Sequence, residues 1–254
     1  MRPSNQVGYS DVYCAGFFVS PEIKSGLVIM GLEEGETQTF MKDRDVVFLN
    51  KGNNGGLKPG DELLVVRPIL KFGQYGPEFK EAGTRSKYGF HYKDLGRVRV
   101  LIAQDHSSIA QVVFSCEEIQ VGDILIPNEQ RVIPSLQVIK PLDAYAAPSG
   151  KASGKIIHSK DFRTLLGRGH IVYLDTGQKK GVMVGDLFRI YQLWRNDNTS
   201  EFNRKGFQEN QREFKELRKM LGELIVLRVE ANTATALILS SRENINVGDL
   251  IEQE

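Results

Sequence analysis

Several kinds of chemistry are missing from this chain. Its four histidines, His91, His106, His158 and His170, are scattered singly, with no His-x-x-x-His or Cys-x-x-Cys spacing, so the sequence offers no metal site. No Gly-x-Ser-x-Gly elbow occurs, and the contiguous Asp105-His106-Ser107 cannot fold back into a triad and reads as a strand turn. Gly150-Lys151-Ala152-Ser153-Gly154-Lys155 has a phosphate-loop look, but its glycine spacing is one residue short and Ile156 stands where a Ser or Thr would hold magnesium. No catalytic residue, metal ligand or cofactor is therefore expected.

Charge of one sign is lacking too. Lys and Arg total 33 against 32 Asp and Glu, which argues against a polyanion partner held by bulk charge, though a local basic face stays open. No apolar run reaches the length of a membrane span, so no membrane insertion is expected. Met1-Arg2-Pro3-Ser4-Asn5 lacks the apolar segment of a secretory signal, which fits either a cytoplasmic protein or a chain whose numbering starts after processing. Only two cysteines are present, Cys14 and Cys116, both in strand-like runs. They are either two buried thiols or one disulfide pinning the N-terminal strand to the first domain, and the second case implies an oxidising compartment.

What is present is a repeated pattern. Leu95–Ile126 and Leu221–Glu252 each run as strand, turn, strand, then an Ile-x-Val-Gly-Asp step into a last short strand, at a spacing of 126. Asp45–Gly52 with Gly56–Val66 recurs as His170–Gly177 with Gly181–Tyr191 at a spacing of 125, and Gly26–Gly31 aligns with Gly154–Ser159. The expected fold is all-β: two tandem, duplicated, partly closed barrels of about five to seven strands each. The division is an N-terminal lead and strand over 1–21, a first β domain over 22–127, a Pro-containing strap over 128–150 and a second β domain over 151–254. Residues 1–10 read as a flexible lead and Asp11–Ser20 as a strand stopped by Pro21.

Gly-Asp steps fall at Gly60-Asp61, Gly122-Asp123, Gly185-Asp186 and Gly248-Asp249, 62 or 63 residues apart. Glycine supplies positive φ at a turn, and the carboxylate accepts a backbone N–H from the residues that follow, so these aspartates are structural and not acids of a reaction. The insertion from Leu193 to Leu221 ends in good helix formers, which predicts a short helix over Glu209–Met220. Just before it, Trp194, Arg195, Phe202, Arg204, Lys205 and Phe207 mix cations with aromatics, the composition of a partner-binding surface or of a mobile loop.

The ordered motifs resemble the C-terminal region of the secretin-associated, LysM-bearing proteins of type IV pilus machines, a region similar to the C-terminal domain of flagellar assembly protein T. The residues carrying this in the first half are Gly26–Gly31, Asp45–Gly52, Gly60-Asp61, Val66–Pro68, Leu95–Val98 and Ile119–Pro127. Those in the second half are Pro148, His170–Gly177, Gly181–Asp186, Leu221–Arg228, Ala234–Ile238 and Ile245–Ile251. The resemblance implies a non-enzymatic periplasmic scaffold or anchor packed on an outer-membrane secretin or a flagellar basal-body ring, with a homo-oligomer open. No LysM module is present in these residues, so peptidoglycan binding would come only through an upstream module. The alternative is a cytoplasmic, nucleic-acid-binding pair of small barrels. The strands present Val, Ile and Leu where such binders show paired aromatics beside Lys and Arg, so the main reading has no nucleic-acid partner.

Overall fold

Short strands of alternating burial, bounded by glycine turns, dominate the chain. In the computed structural model, residues 7–33, 40–69, 87–135, 143–144, 146–193 and 217–254 are described. A helix α1 (Tyr9–Tyr13) and a short β1 (Phe17–Val19) lead into β2 (Ile29–Leu32), β3 (Val46–Leu49), β4 (Glu62–Pro68), β5 (Phe90–Ala103), β6 (Ser108–Ser115) and β7 (Ile124–Pro127). The second half holds β8 (Ser153–Ser159), β9 (Leu165–Leu166), β10 (Ile171–Leu174), β11 (Leu187–Leu193), β12 (Arg218–Val229), β13 (Ala234–Ser241), β14 (Ile245–Asn246) and β15 (Leu250–Gln253). The fold is all-β, as the alternating pattern predicts.

The first sheet runs β2-β3-β6-β5-β4-β7, with β1 added on β5. Its ends meet where Val28 bridges Ile124 and the Leu125 N–H donates to Leu27 O at 3.0 Å. The second half is a closed barrel in the order β10-β13-β12-β11-β15-β8, and β9 pairs separately with β14. Closure leaves few unpaired edges, the usual hazard of small sheets. Side chains alternate as strand geometry requires: Val47 and Leu49 of β3 and Ala110 and Val112 of β6 point into the first core with Ile29, Val98 and Val100. The second core is built on Ile156, Val172, Leu174, Phe188, Val226, Ala236 and Ile251.

Turn geometry repeats at the four Gly-Asp steps. Gly60, Gly122, Gly185 and Gly248 take φ of 95, 92, 94 and 104°, where a side chain would be strained. Each aspartate accepts the N–H of the residue three positions earlier: Lys58 to Asp61 Oδ2 at 2.8 Å, Gln120 to Asp123 at 2.7 Å, Met183 to Asp186 at 2.8 Å and Asn246 to Asp249 at 2.8 Å. The carboxylate thus closes the turn backwards, not onto the residues that follow as the sequence led us to expect. Each corner is also stitched to a neighbouring strand, as in Gly60 N–H to Val100 O and Val100 N–H to Asp61 O.

Two further corners share this stitching without the Gly-Asp signature. At Lys42–Asp45 the αL position is occupied by Arg44, φ 76°, and the Lys42 N–H meets Asp45 Oδ2 at 2.9 Å. At Gly167–His170, Gly169 has φ 84° and His170 Nδ1 accepts the Gly167 N–H at 2.9 Å, replacing the carboxylate. Elsewhere, Gly52 and Gly177 let the chain touch a hairpin tip: an added Cβ at Gly52 would lie 1.8 Å from Gln104 O, and at Gly177 2.4 Å from Glu230 O.

Three local expectations fail. Residues 7–10 of the expected flexible lead are packed, with Val7 buried beside Val12 and Tyr13 against β12 and β13, and Asp11–Tyr13 of the expected strand Asp11–Ser20 belong to a helix over Tyr9–Tyr13. A local cause is visible, since Asp11 Oδ2 accepts the Gly8 N–H at 2.7 Å and turns the chain. The helix expected to run through Met220 is contradicted at its end, because Arg218, Lys219 and Met220 pair with Leu193, Gln192 and Tyr191 as part of β12. The rest of that helix lies outside the described residues. In the strap, Pro134 is buried and Arg131 reaches into the space between the barrels.

Two substitutions check the turn account. Arg44→Gly relieves a left-handed arginine and leaves both backbone bonds of the corner in place, so it is expected to raise stability by about 1 kcal/mol in denaturant melts. Gly52→Ala forces a carbonyl to move and is expected to cost about 3 kcal/mol by the same measurement.

Candidate functional site at the junction of the barrels

The side chains that converge from distant parts of the chain meet between the barrels. Asp94 on β5 is fully buried, and Arg131 from the strap holds it through Nη1–Oδ2 at 2.7 Å and Nη2–Oδ1 at 3.1 Å. The Gly16 N–H donates to Asp94 Oδ2 at 3.0 Å, and Arg228 of β12 in the second barrel approaches Oδ1 at 3.9 Å. Arg228 also pairs with Glu230 at 2.8 Å and lies 3.5 Å above the Phe17 ring. Two cations and two carboxylates therefore balance around a carboxylate that is itself fully buried. Burial lowers the Arg131 pKa, but the hydrogen bond and charge of Asp94 outweigh it and leave the value raised; burial and then Arg131 hold Arg228 below its ordinary value.

The N-terminal segment is wedged at this point. Tyr173 Oη donates to Ala15 O at 2.8 Å, Thr235 Oγ1 to Gly16 O at 3.0 Å and Thr233 Oγ1 to Phe18 O at 2.8 Å, all from the second barrel. On its other side β1 pairs with β5, and Cys14 is disulfide-bonded to Cys116. Gly16 is required by space as well as by φ, since a Cβ there would lie 2.7 Å from Tyr173 Oη.

Beside the ion cluster is an aromatic cluster holding two histidines, one from each barrel. His91 stacks on Phe18 at 4.4 Å and meets Tyr173 edge-on at 4.6 Å; His158 lies 5.5 Å from His91 and 4.6 Å from Phe162. Burial first, then His158 and Lys93, holds His91 well below the usual imidazole value. Burial takes His158 down to about 4, against its hydrogen bond to Ser159 O. Both rings are neutral near pH 7 and act as aromatic surface.

A cleft of about 470 Å³ opens next to the ion cluster, lined in part by Leu64, Ile126, Val184, Arg131, Arg228 and Glu230. Its guanidinium groups already face Asp94 and Glu230.

No protein-family model and no curated protein matches the chain. The resemblance to the pilus and flagellar proteins accordingly stands on the motifs quoted from the sequence.

The residues singled out from the sequence are placed as follows. Asp61, Asp123, Asp186 and Asp249 each close their own corner; Asp123 is further held by Arg67 at 2.7 Å, Asp186 by Gln253 at 2.9 Å and Asp249 by Gln192 at 2.7 Å. Among the described residues no group of His, Cys, Asp and Glu is arranged to hold a metal ion, and no helix is long and apolar enough to cross a membrane. Asp105-His106-Ser107 is the tip of the β5–β6 hairpin, closed by the Gln104 N–H to Ser107 O at 2.9 Å. Trp194, Arg195, Phe202, Arg204, Lys205 and Phe207 lie outside the described residues. The sequence reading did not single out Asp94, Arg131 and Arg228; the one available signal was an aspartate two residues from Tyr92, on the same face of a strand-like run, in Tyr92-Lys93-Asp94-Leu95.

Asp94→Asn leaves two buried cations short of a counter-charge and is expected to cost about 3 kcal/mol in denaturant unfolding. The histidines give a pH dependence of definite sign. Their pKa values are depressed in the folded state, so unfolded chains bind the extra protons. Stability is then full above pH ~6.5 and falls as pH drops towards 4, by about 3 kcal/mol for His158 alone. Thermal melts from pH 7 to pH 4 should show this slope, and His158→Gln should flatten it.

Proposed function

We propose that this protein is a non-enzymatic scaffold or anchoring component of a bacterial envelope machine, working in the periplasm against an outer-membrane secretin of the type IV pilus or a flagellar basal-body ring. The observation that carries this reading is the junction itself. A disulfide, a buried ion cluster and a wedge of N-terminal chain are all spent on fixing one barrel against the other, which suits a part that transmits position between neighbours. A structural disulfide persists in oxidising compartments, which favours the periplasm over the cytoplasm. Contact with peptidoglycan would need an upstream module.

The two barrels, on this reading, are copies of one unit. Support comes from matched register. Both follow the same strand order, with β2, β3, β6, β5, β4 and β7 matching β8, β10, β13, β12, β11 and β15. Register shifts also fall at matched places: beside Gly31 and His158, between Val65/Val66 and Ile190/Tyr191, and between Val100/Ile102 and Val226/Arg228. Pairing of Ile29 with Leu49 and of Ile156 with Leu174 aligns Ile29 with Ile156, one residue from the Gly26–Gly154 alignment suggested by the sequence.

Deletion of the gene should abolish pilus or flagellar assembly, and the tagged full chain should crosslink in envelope fractions to a secretin or basal-body ring protein. Intact assembly after deletion, or a chain confined to the cytoplasm that shifts single-stranded nucleic acid in a salt-dependent way, would overturn the proposal.

A further inference from the structure

The outer face by which the second barrel receives the wedge is one cross-strand row: His158, Tyr173, Thr235 and Arg228, with Ile157 and Leu227 bulged beside it. The register-equivalent row on the first barrel is Gly31, Phe48, Ile109 and Ile102, with Met30 and Leu101 bulged at the same places. On the second barrel this row is covered. On the first, no strand or wedge among the described residues lies over it and it is apolar, with Met30 61%, Phe48 37% and Ile102 52% exposed. Isolated exposed apolar residues need no explanation, but a contiguous row over four paired strands does.

The complementary end is also present in the chain. The first barrel meets the second through the start of β5, where His91, beside β1, meets Tyr173 and His158. The equivalent place on the second barrel is the start of β12, where Leu217 is 50% exposed and Leu193 of the paired strand 38%. In sequence, Asp143-Ala144-Tyr145-Ala146-Ala147 echoes the wedge segment Asp11-Val12-Tyr13-Cys14-Ala15, and at the start of β12 Ala144 O takes the Met220 N–H at 3.3 Å. The hydroxyl donors Tyr173 and Thr235 become Phe48 and Ile109 on the open row, so what docks there is held by apolar contact and not by hydroxyl-to-carbonyl bonds.

We infer that the face of one molecule carrying Met30, Phe48 and Ile102 receives the end of a second copy that carries Leu193 and Leu217, continuing between molecules the head-to-tail relation that the two barrels have within one. A second copy is the occupant because this chain carries both halves of the contact. Such an interface is heterologous: it closes into a ring if the rotation allows and otherwise extends as a filament. The inference rests on the tandem-copy reading and not on the identity of the envelope partner.

Sedimentation velocity of the full chain over a concentration series tests it, with Phe48→Glu/Ile102→Glu and Leu193→Glu/Leu217→Glu as the two face variants. All four positions are exposed, and unchanged melting temperatures check that the variants fold. The wild-type chain should grow beyond a dimer with concentration, and each variant alone should lose about a hundredfold or more in association constant. An equal mixture of the two variants should restore one intact contact and stop at a dimer. A wild-type chain that stays monomeric, variants that still assemble, or a mixture that stays monomeric overturns the inference; none of these touches the crosslinking result that decides the envelope reading.

Discussion

A single buried carboxylate holds this molecule in its shape. Asp94 gathers a backbone N–H from the N-terminal wedge, two bonds from the strap arginine and the charge of an arginine from the other barrel. Burying an ion is costly unless its partners are fixed in place, so the site stabilises only the arrangement in which all four segments are present at once. The disulfide supports that arrangement by tying the wedge to the first barrel. Specific docking, and not gross stability, is the main consequence of such a cluster.

The barrels themselves depend on a second, local constraint. Each corner puts one residue at positive φ and closes it with an acceptor side chain bonded to an N–H three residues back. Because the same corner also exchanges two backbone bonds with an adjacent strand, turn and register are fixed together. A slip of one residue would turn the core-facing Val47, Leu49, Ala110 and Val112 outward.

Much of this was legible in the chain because it is short-ranged. Alternation showed the strands, and the Gly-Asp steps showed four of the corners, since only glycine takes that φ without strain. The corners at Arg44 and His170 were not legible because other residues had taken the glycine or aspartate role while the backbone bonds stayed. Arg218–Met220 are helix formers held as strand by three pairings with β11, and Asp11–Tyr13 look strand-like but are turned by one side-chain bond. The junction left almost no trace: Asp94, Arg131 and Arg228 are far apart in sequence and of unremarkable type, and only the folded arrangement shows that their charges balance.

The proposed scaffold role requires that the two barrels move as one body. Differential scanning calorimetry of the oxidised chain at neutral pH tests that claim most directly. A single transition with equal calorimetric and van't Hoff enthalpies is the predicted result. Two separable transitions in the intact protein would contradict it, because they would mean that the barrels unfold independently and that the junction does not couple them.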